Sequence, residues 1–355
     1  VSGFTVEQVD IPATLDDPAA TDFVDAIEVG NIVVADAFGT PDIVYEPDEE
    51  LPQFHNPFQP KRLFVARADG RIVGHATTET QTGEGADTSW VLVLVHPGFR
   101  GRGIGSALAD HVEDSVRADD RRKVIAYVPD RATGGARLAS PTGSGSIAAD
   151  APSTRFLQTR GYSFEQVERL SRLPLPIGGL DDRLAAARAA SGPDYRVHTW
   201  VDRTPERWLE DRAVLATRMS TDAPSAGLEE PEDVWTAERQ RETDERRVTN
   251  PRRHLFAAAE HVPTGRLVAY TVLSTPRQAH RAVQQYATLV LREHRGRRLG
   301  MLVKTANLVH LAAYSPGHPS ILTFNAEENR HMLDVNEALG FTPIASEGAW
   351  RKDLT

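Results

Sequence analysis

One pattern occurs twice in this chain, and it limits the fold more than any other feature. Val91–Val95 (VLVLV) is an unbroken apolar run of strand length, which reads as a buried strand. It leads through HPGF into the turn RGRGIG, Arg100–Gly105. From Ile104 the apolar residues fall at Leu108, Val112 and Val116, one face of a helix. Lys123–Val128 (KVIAYV) then reads as a second strand. The same order returns later as the strand Gln285–Leu291, the turn RGRRLG over Arg295–Gly300, a helix and the strand Ser320–Phe324. That second helix is apolar at Leu299, Leu302, Val303, Ala306 and Val309. Both halves close alike, in TRFLQTRGYSF (Thr154–Phe164) and HMLDVNEALGFTP (His331–Pro343). Each is a helix stopped by a glycine, Gly161 or Gly340, and followed by a strand. A repeat of this length means two copies of one α/β fold.

The expected domains are 1–175 and 195–355, with 176–194 as the join, a Pro- and Gly-containing stretch around a short Ala-rich helix. The chain has 355 residues, enough for two domains of ordinary size. The first copy carries an extra segment, Ala132–Ser153, rich in Gly, Ser and Ala, expected to be a mobile surface loop.

Composition narrows the chemistry. With no cysteine there is neither a disulfide framework nor a thiolate nucleophile, which suits a cytoplasmic protein. No apolar run reaches membrane-spanning length and no secretory signal is expected. A net charge of −10 argues against bulk nucleic-acid binding, which needs a surplus of Lys and Arg. His96, His294, His310 and His318 have neither HExxH spacing nor Cys partners, so no metal site is expected.

The repeated turn is the chemical signal. A helix start leaves backbone N–H groups unpaired at the positive end of the helix dipole. Glycines let that backbone approach a phosphate, and arginines add charge and donors. Three readings compete. In a Rossmann turn, Gly101, Gly103 and Gly105 would be followed by a sixth-position glycine, but Ser106 stands there; Asp130 sits about where a ribose-binding acid would be. A P-loop lacks its GK[ST]. The second reading is a plain solvated βα turn. The third is a resemblance. Arg100-Gly101-Arg102-Gly103-Ile104-Gly105 resembles the pyrophosphate loop of the GCN5-related N-acetyltransferases (GNAT), and VLVLVHP and FLQTRGY resemble that family's central strand and last helix. The second half is similar too, through RGRRLG and TFNAEENRHMLDVNEALGF. The resemblance covers nearly the whole chain as two tandem domains, the arrangement of mycothiol-synthase-like proteins.

The resemblance implies two tandem domains of α+β type. Each would be a mixed, mostly antiparallel sheet flanked by helices, with a splayed parallel strand pair that takes acetyl-CoA. It implies coenzyme contacts at Val93, Val95, Arg100, Gly101, Arg102, Gly103, Ile104, Gly105 and Ser106 in the first copy. In the second they fall at Leu289, Val290, Arg295, Gly296, Arg297, Arg298, Leu299, Gly300, Asn325 and Asn329. Members often carry a tyrosine on the last helix, four residues before the closing glycine. Here Leu157 and Asn336 stand at that place. Arg298 replaces the middle glycine of the second loop. An apolar Leu157 and a strand without carboxylate suggest that the first copy is a binding or scaffold domain. The expected catalytic set is therefore Asn336, Asn325, Asn329 and Asp222. Asn325 also suits a helix N-cap, with Glu328 as capping-box partner. Asn329 and Asn336, two turns apart, share a helix face. Asp222, Glu229, Glu230, Glu232 and Asp233 form a local acidic group that suits a cationic amine, or simply a solvated loop. PDEELPQF, Pro47–Phe54, is its counterpart in the first copy.

The expected activity is acetyl transfer to a small-molecule amine by direct attack, in a monomeric pseudo-dimer or a homodimer, without nucleic acid or membrane partners. A protein N-acetyltransferase and a non-catalytic coenzyme-A-binding scaffold stand as alternatives.

Overall fold

The computed structural model describes residues 3–83, 86–130 and 134–354. The first half runs β1 (Phe4–Val9), α1 (Thr21–Phe38), α2 (Pro47–Phe54), β2 (Lys61–Ala68), β3 (Arg71–Thr80), β4 (Thr88–Val95) and α3 (Ile104–Ala118). It continues with β5 (Lys123–Asp130), β6 (Arg137–Ala139), β7 (Ser146–Ala148), α4 (Pro152–Thr159) and β8 (Ser163–Pro174). The second half runs α5 (Leu180–Ser191), β9 (Tyr195–Val201), α6 (Leu209–Asp222), α7 (Ala237–Thr249), β10 (Arg253–His261), β11 (Arg266–Thr275) and β12 (Val283–Val290). It ends with α8 (Leu299–Tyr314), β13 (Ser320–Ala326), α9 (Arg330–Leu339) and β14 (Thr342–Asp353). The chain separates into two compact units. One holds the residues up to Glu168 with Ser225–Glu230 and the C-terminal stretch from Ala345; the other holds Arg169–Pro224 and Pro231–Ile344.

In the first unit, β1, β2, β3 and β4 form an antiparallel meander, and β5 pairs antiparallel with β14. β4 and β5 are the parallel pair, joined only from Thr88–Trp90 against Lys123–Ile125; beyond that they part. The apolar stripe of α3 (Ile104, Leu108, Val112, Val116) covers one face of this sheet, with Ala66, Ala76, Val91 and Val124 beneath it. α1 and α2 pack on the other, where Phe23 meets Phe54 edge to face at 5.3 Å between ring centres. The second unit repeats the plan. β9, β10, β11 and β12 are antiparallel neighbours, and β12 runs parallel to β13 only from Val283–Gln285 against Ile321–Thr323. α8 packs over Ala257, Ala259 and Ala269, and Leu215 of α6 packs on the opposite face with Phe256 and Tyr270. The mostly antiparallel sheets overturn the Rossmann alternative, which needs an open parallel sheet.

One further expectation is corrected. Ala132 and its neighbours 131 and 133 lie outside the described residues, but most of the segment expected as a mobile loop forms the hairpin β6–β7. Ile147 and Ala148 are buried, and Asp130 holds the hairpin by accepting from Ala148 N at 2.8 Å and pairing with Arg137. Asp130 thus has a structural task. The segment 176–194 carries α5, whose Leu184 and Ala187 belong to the same core as Leu302 and Val303 of α8.

Candidate active site

Both turns fold as the helix-start argument requires. In the first unit Gly101 and Gly103 adopt φ of 75° and 83°, the left-handed region that a side chain opposes, and α3 starts at the next residue. In the second, Gly296 has φ 79° and Arg298 is held at φ 56° immediately before α8. Neither helix start carries a side-chain cap, so the first N–H groups of α3 and α8 face outward. The leading arginine does the same job in both. Arg100 Nε donates to Val95 O at 3.2 Å, and Arg295 Nε donates to Val290 O at 3.1 Å. Each also pairs with an aspartate near the end of the helix that precedes it in sequence on the opposite face. Arg100 meets Asp36 of α1 at 3.2 Å, and Arg295 meets Asp222 of α6 at 2.8 Å. Arg292 adds a second pairing to Asp222 at 2.9 Å.

That places Asp222, read from the sequence as a catalytic or amine-binding carboxylate. Its side chain is only 4% exposed and both oxygens are engaged by loop arginines. It braces the turn, and no free carboxylate remains for an amine. Three other members of the acidic group are also paired. Asp233 binds Arg239 and the Trp235 indole, Glu229 pairs with Lys123 and Arg351, and Glu230 accepts from the Tyr127 hydroxyl at 2.9 Å. A cavity of about 300 Å³ lies at the foot of the second turn, lined by Arg218, Thr221, Asp222, Leu291, Arg292 and Glu293. A larger one of about 490 Å³ lies between α5 and β9 and shares no residue with the turn.

The asparagines come together differently from the sequence reading. Asn325 is the penultimate residue of β13, not an N-cap; Asn329 caps α9, its Oδ1 accepting from Met332 N at 3.3 Å. The expected Asn325–Glu328 capping box is therefore replaced, because β13 runs on to Ala326 and the helix begins only at Arg330. Asn329 and Asn336 part company: the first is used by the cap, the second points inward. Asn336 is 2% exposed, and its Nδ2 donates to Asn325 Oδ1 at 2.7 Å. Its own Oδ1 is buried with no hydrogen-bond partner among the described residues. Leu157, at the matching place on α4, is packed into the apolar core.

The central strands also differ. β4 pairs with β3 in unbroken register from Gly74–Val95 to Thr80–Ser89. β12 does not: Thr271 faces Thr288 and Leu273 faces Gln285, so one residue of β11 opposes two of β12, Tyr286 and Ala287. This is a β-bulge, and it falls where β12 leaves β13. The side chain of Gln285 fills the broken ladder, with Nε2 donating to Val272 O at 2.7 Å and to Thr271 Oγ1 at 3.0 Å. Thr271 and Thr288 hydroxyls bond each other at 2.7 Å. No sequence signal marked this bulge; the polar pair Gln284-Gln285 inside a strand was the available hint.

Buried titratable groups differ by unit as well. His75 on β3 bonds Ala26 O through Nδ1 at 2.7 Å, and burial lowers its pKa to about 4. Lys304 on α8 lies over the Phe341 ring, 5.7 Å from its centre, and burial lowers its pKa to about 7. In the first unit Tyr127, just past the parting of β4 and β5, is pushed up by burial and by Glu230, Glu168 and Glu347; burial with Glu168 nearby raises Glu347 as well. His294, just before the second turn, is half-buried and bonds the Tyr195 hydroxyl at 3.0 Å.

Comparison with known proteins matches this architecture. Residues 32–135 match the acetyltransferase (GNAT) family. A mycothiol acetyltransferase of Thermobispora bispora is 28% identical over 264 residues, covering 73% of this chain and 75% of that protein. A solved tandem GNAT protein from the clavulanic acid biosynthesis pathway superposes on 99% of this chain and 98% of its own, with a TM-score of 0.74 and 26% identity. The chain is a tandem GNAT-family protein. A GCN5-related N-acetyltransferase from Sphaerobacter thermophilus, 16% identical with a TM-score of 0.60 over 99% of this chain and 95% of its own, shares the fold. As a GNAT protein the chain is an acyltransferase, and each splayed strand pair with its Arg-Gly turn is the counterpart of the other. Among the described residues there is no cluster able to hold a metal ion, and no helix is long and apolar enough to cross a membrane.

Proposed function

We propose that this GNAT protein transfers the acetyl group of acetyl-CoA to the amine of a small molecule, with the chemistry in the second domain. The observation that carries the assignment is the bulge at Tyr286–Ala287. A bulge leaves backbone groups out of the ladder. Here they lie at the mouth of the splay, where an N–H can polarise a carbonyl oxygen without any reorganisation. Bound acetyl-CoA supplies the activated acetyl thioester. The residues suited to hold its pyrophosphate are the uncapped start of α8 (Leu299, Gly300) with Arg295, Gly296, Arg297 and Arg298. Leu289 and Val290 of β12 flank the arm, and Asn325 and Asn336 form the polar lining on the opposite strand and helix, while Asn329 keeps α9 capped. In the first domain the corresponding set is Val93, Val95 and Arg100–Ser106. Its unbulged β4 and apolar Leu157 favour a binding or scaffold role. On this reading the domains are 1–175 and 195–355, joined through 176–194.

One observation favours a second reading. The splay of the first unit is faced by Tyr127 with Glu230, Glu168 and Glu347, and a carboxylate of raised pKa is a fitting general base for an ammonium acceptor. Two loop variants separate the readings. Arg295→Glu with Gly300→Glu is expected to lower acetyl-CoA-dependent turnover of an amine panel by at least ~100-fold, whereas Arg100→Glu with Gly103→Glu lowers it less than ~3-fold. The reverse order would move the chemistry to the first domain, and no turnover by the wild type with any amine would leave a coenzyme-binding scaffold.

A further inference from the structure

On the α6/α7 face of the second unit, two guanidinium groups gather round one ring. Arg212 of α6 lies 5.6 Å from the centre of the Phe256 ring, and Arg247 of α7 lies 5.3 Å from it. Trp200 stacks on the same ring at 5.4 Å. Arg247 has a carboxylate partner, Asp244, at 2.6 Å. Asp244 is fully used: the same Oδ1 accepts from Gln240 Nε2, and Oδ2 accepts from Thr204 N. Arg212 is 4% exposed and stacks on Tyr270 at 4.0 Å, but its Nε and Nη1 have no hydrogen-bond partner among the described residues. Gln240 Oε1 and Thr204 Oγ1, beside Asp244, are also buried without partners.

Arg212, buried, and Arg247, its side chain 18% exposed, face one carboxylate and leave an excess of one positive charge largely away from water. A charge in that position is costly unless an anion completes it. The first unit, which has the same helix over the same sheet, has no such charge. Ten residues before the brace Asp222 stands Arg212, and ten before the brace Asp36 stands Ala26, which only lends its carbonyl to His75. The shared scaffold therefore does not itself require a cation at this place.

We infer that Arg212 and Arg247 bind a carboxylate carried by the acetyl acceptor. This rests on the assignment of acceptor binding to the second unit and names the class of its substrate: an amine that also bears a carboxylate. The position suits the task. His254 stands two residues before Phe256 on the same strand face, and its ring lies 6.0 Å from that of Tyr286 at the bulge. Two strand residues span roughly 7 Å, so the anion site lies on the order of 10 Å from the splay. An acceptor whose amine and carboxylate are separated by several bonds spans that distance, as in a long ω-amino acid.

The test uses product mimics, so it does not depend on turnover. The full chain is titrated calorimetrically with 6-acetamidohexanoate and with its neutral counterpart 6-acetamidohexanamide. The expected result is at least ~10-fold tighter binding of the acid. Arg212→Met should remove that preference, and Arg212→Lys should keep part of it. Should Arg212→Met fail to fold, as judged by circular dichroism, Arg247→Met and Arg212→Lys carry the comparison. Equal affinity for acid and amide, no binding of the acid, or a preference unchanged by these substitutions would overturn the inference. Its failure is distinct from that of the catalytic assignment. A protein that acetylates amines regardless of their charge keeps the activity and loses this site; one that binds the acid but transfers nothing keeps the site and loses the activity.

Discussion

The two units are the same device built with different interiors, and each difference has a local physical reason. The exposed machinery is kept: an arginine bonded back to the strand, an aspartate bracing it, a helix start without a cap. What diverges lies beneath. A regular β4 stands against a bulged β12, Leu157 against Asn336, Ala26 with His75 against Arg212 with Tyr270. The first unit fills these places with apolar or neutral groups. The second fills them with polar atoms that cost stability, and such costs are kept where chemistry needs them. On the proposed assignment, the better-looking loop does not mark the working domain.

The largest expected contrast is in pH dependence. His75 has a folded pKa lowered from 6.5 to about 4, so the unfolded chain takes up its proton first as pH falls. The stability this group contributes is complete above pH 6.5 and drains away toward pH 4, by roughly 3 kcal/mol. Lys304 is also lowered, from 10.5 to about 7, so its contribution is present above pH 10.5 and is lost as pH falls toward 7. Denaturant unfolding across pH should therefore show an acid-side slope that His75→Gln flattens, and an alkaline-side slope that Lys304→Met flattens. If each substitution leaves its slope intact, the groups are not buried as described.

A smaller effect is expected on activity. Asn336→Leu installs the residue type of the first unit and leaves Asn325 Oδ1 without its donor. Turnover should fall about 10-fold with little change in acetyl-CoA affinity; an unchanged kcat would remove the asparagine pair from the site. Smallest is the contrast between the two braces. Asp222→Asn breaks two ion pairs of a buried carboxylate and should cost about 1–2 kcal/mol, measured by thermal unfolding. Asp36→Asn weakens the pair with Arg100, whose two groups are half-exposed, and should cost less than about 1 kcal/mol. Equal costs would mean that the second turn is no more firmly held than the first.

The fold was legible because its signals are local and occur twice. The strand, the Arg-Gly turn, the helix and the closing glycine are each set by neighbours in sequence, and α3 and α8 begin at Ile104 and Leu299, the first apolar residue within each turn. The conformation of the Arg-Gly turn was legible for the same reason. Asp222 was not, because its partners Arg292 and Arg295 are remote in sequence, and a carboxylate in an acidic stretch looks alike whether free or paired. Asn325 and Asn329 exchanged roles because an N-cap depends on where the preceding strand stops, here at Ala326. The hairpin within 132–153 escaped notice because only two bulky apolar residues, Ile147 and Leu138, tie it to a core assembled from elsewhere.

By itself the sequence determined the tandem GNAT architecture and the two Arg-Gly turns, since periodicity and glycine conformation act over a few residues. Only the tertiary structure decided which carboxylates are engaged, where β12 bulges and that Arg212 is buried unpaired over Tyr270. Those outcomes depend on what approaches from distant parts of the chain, and burial turns a common surface residue into a costly and informative one.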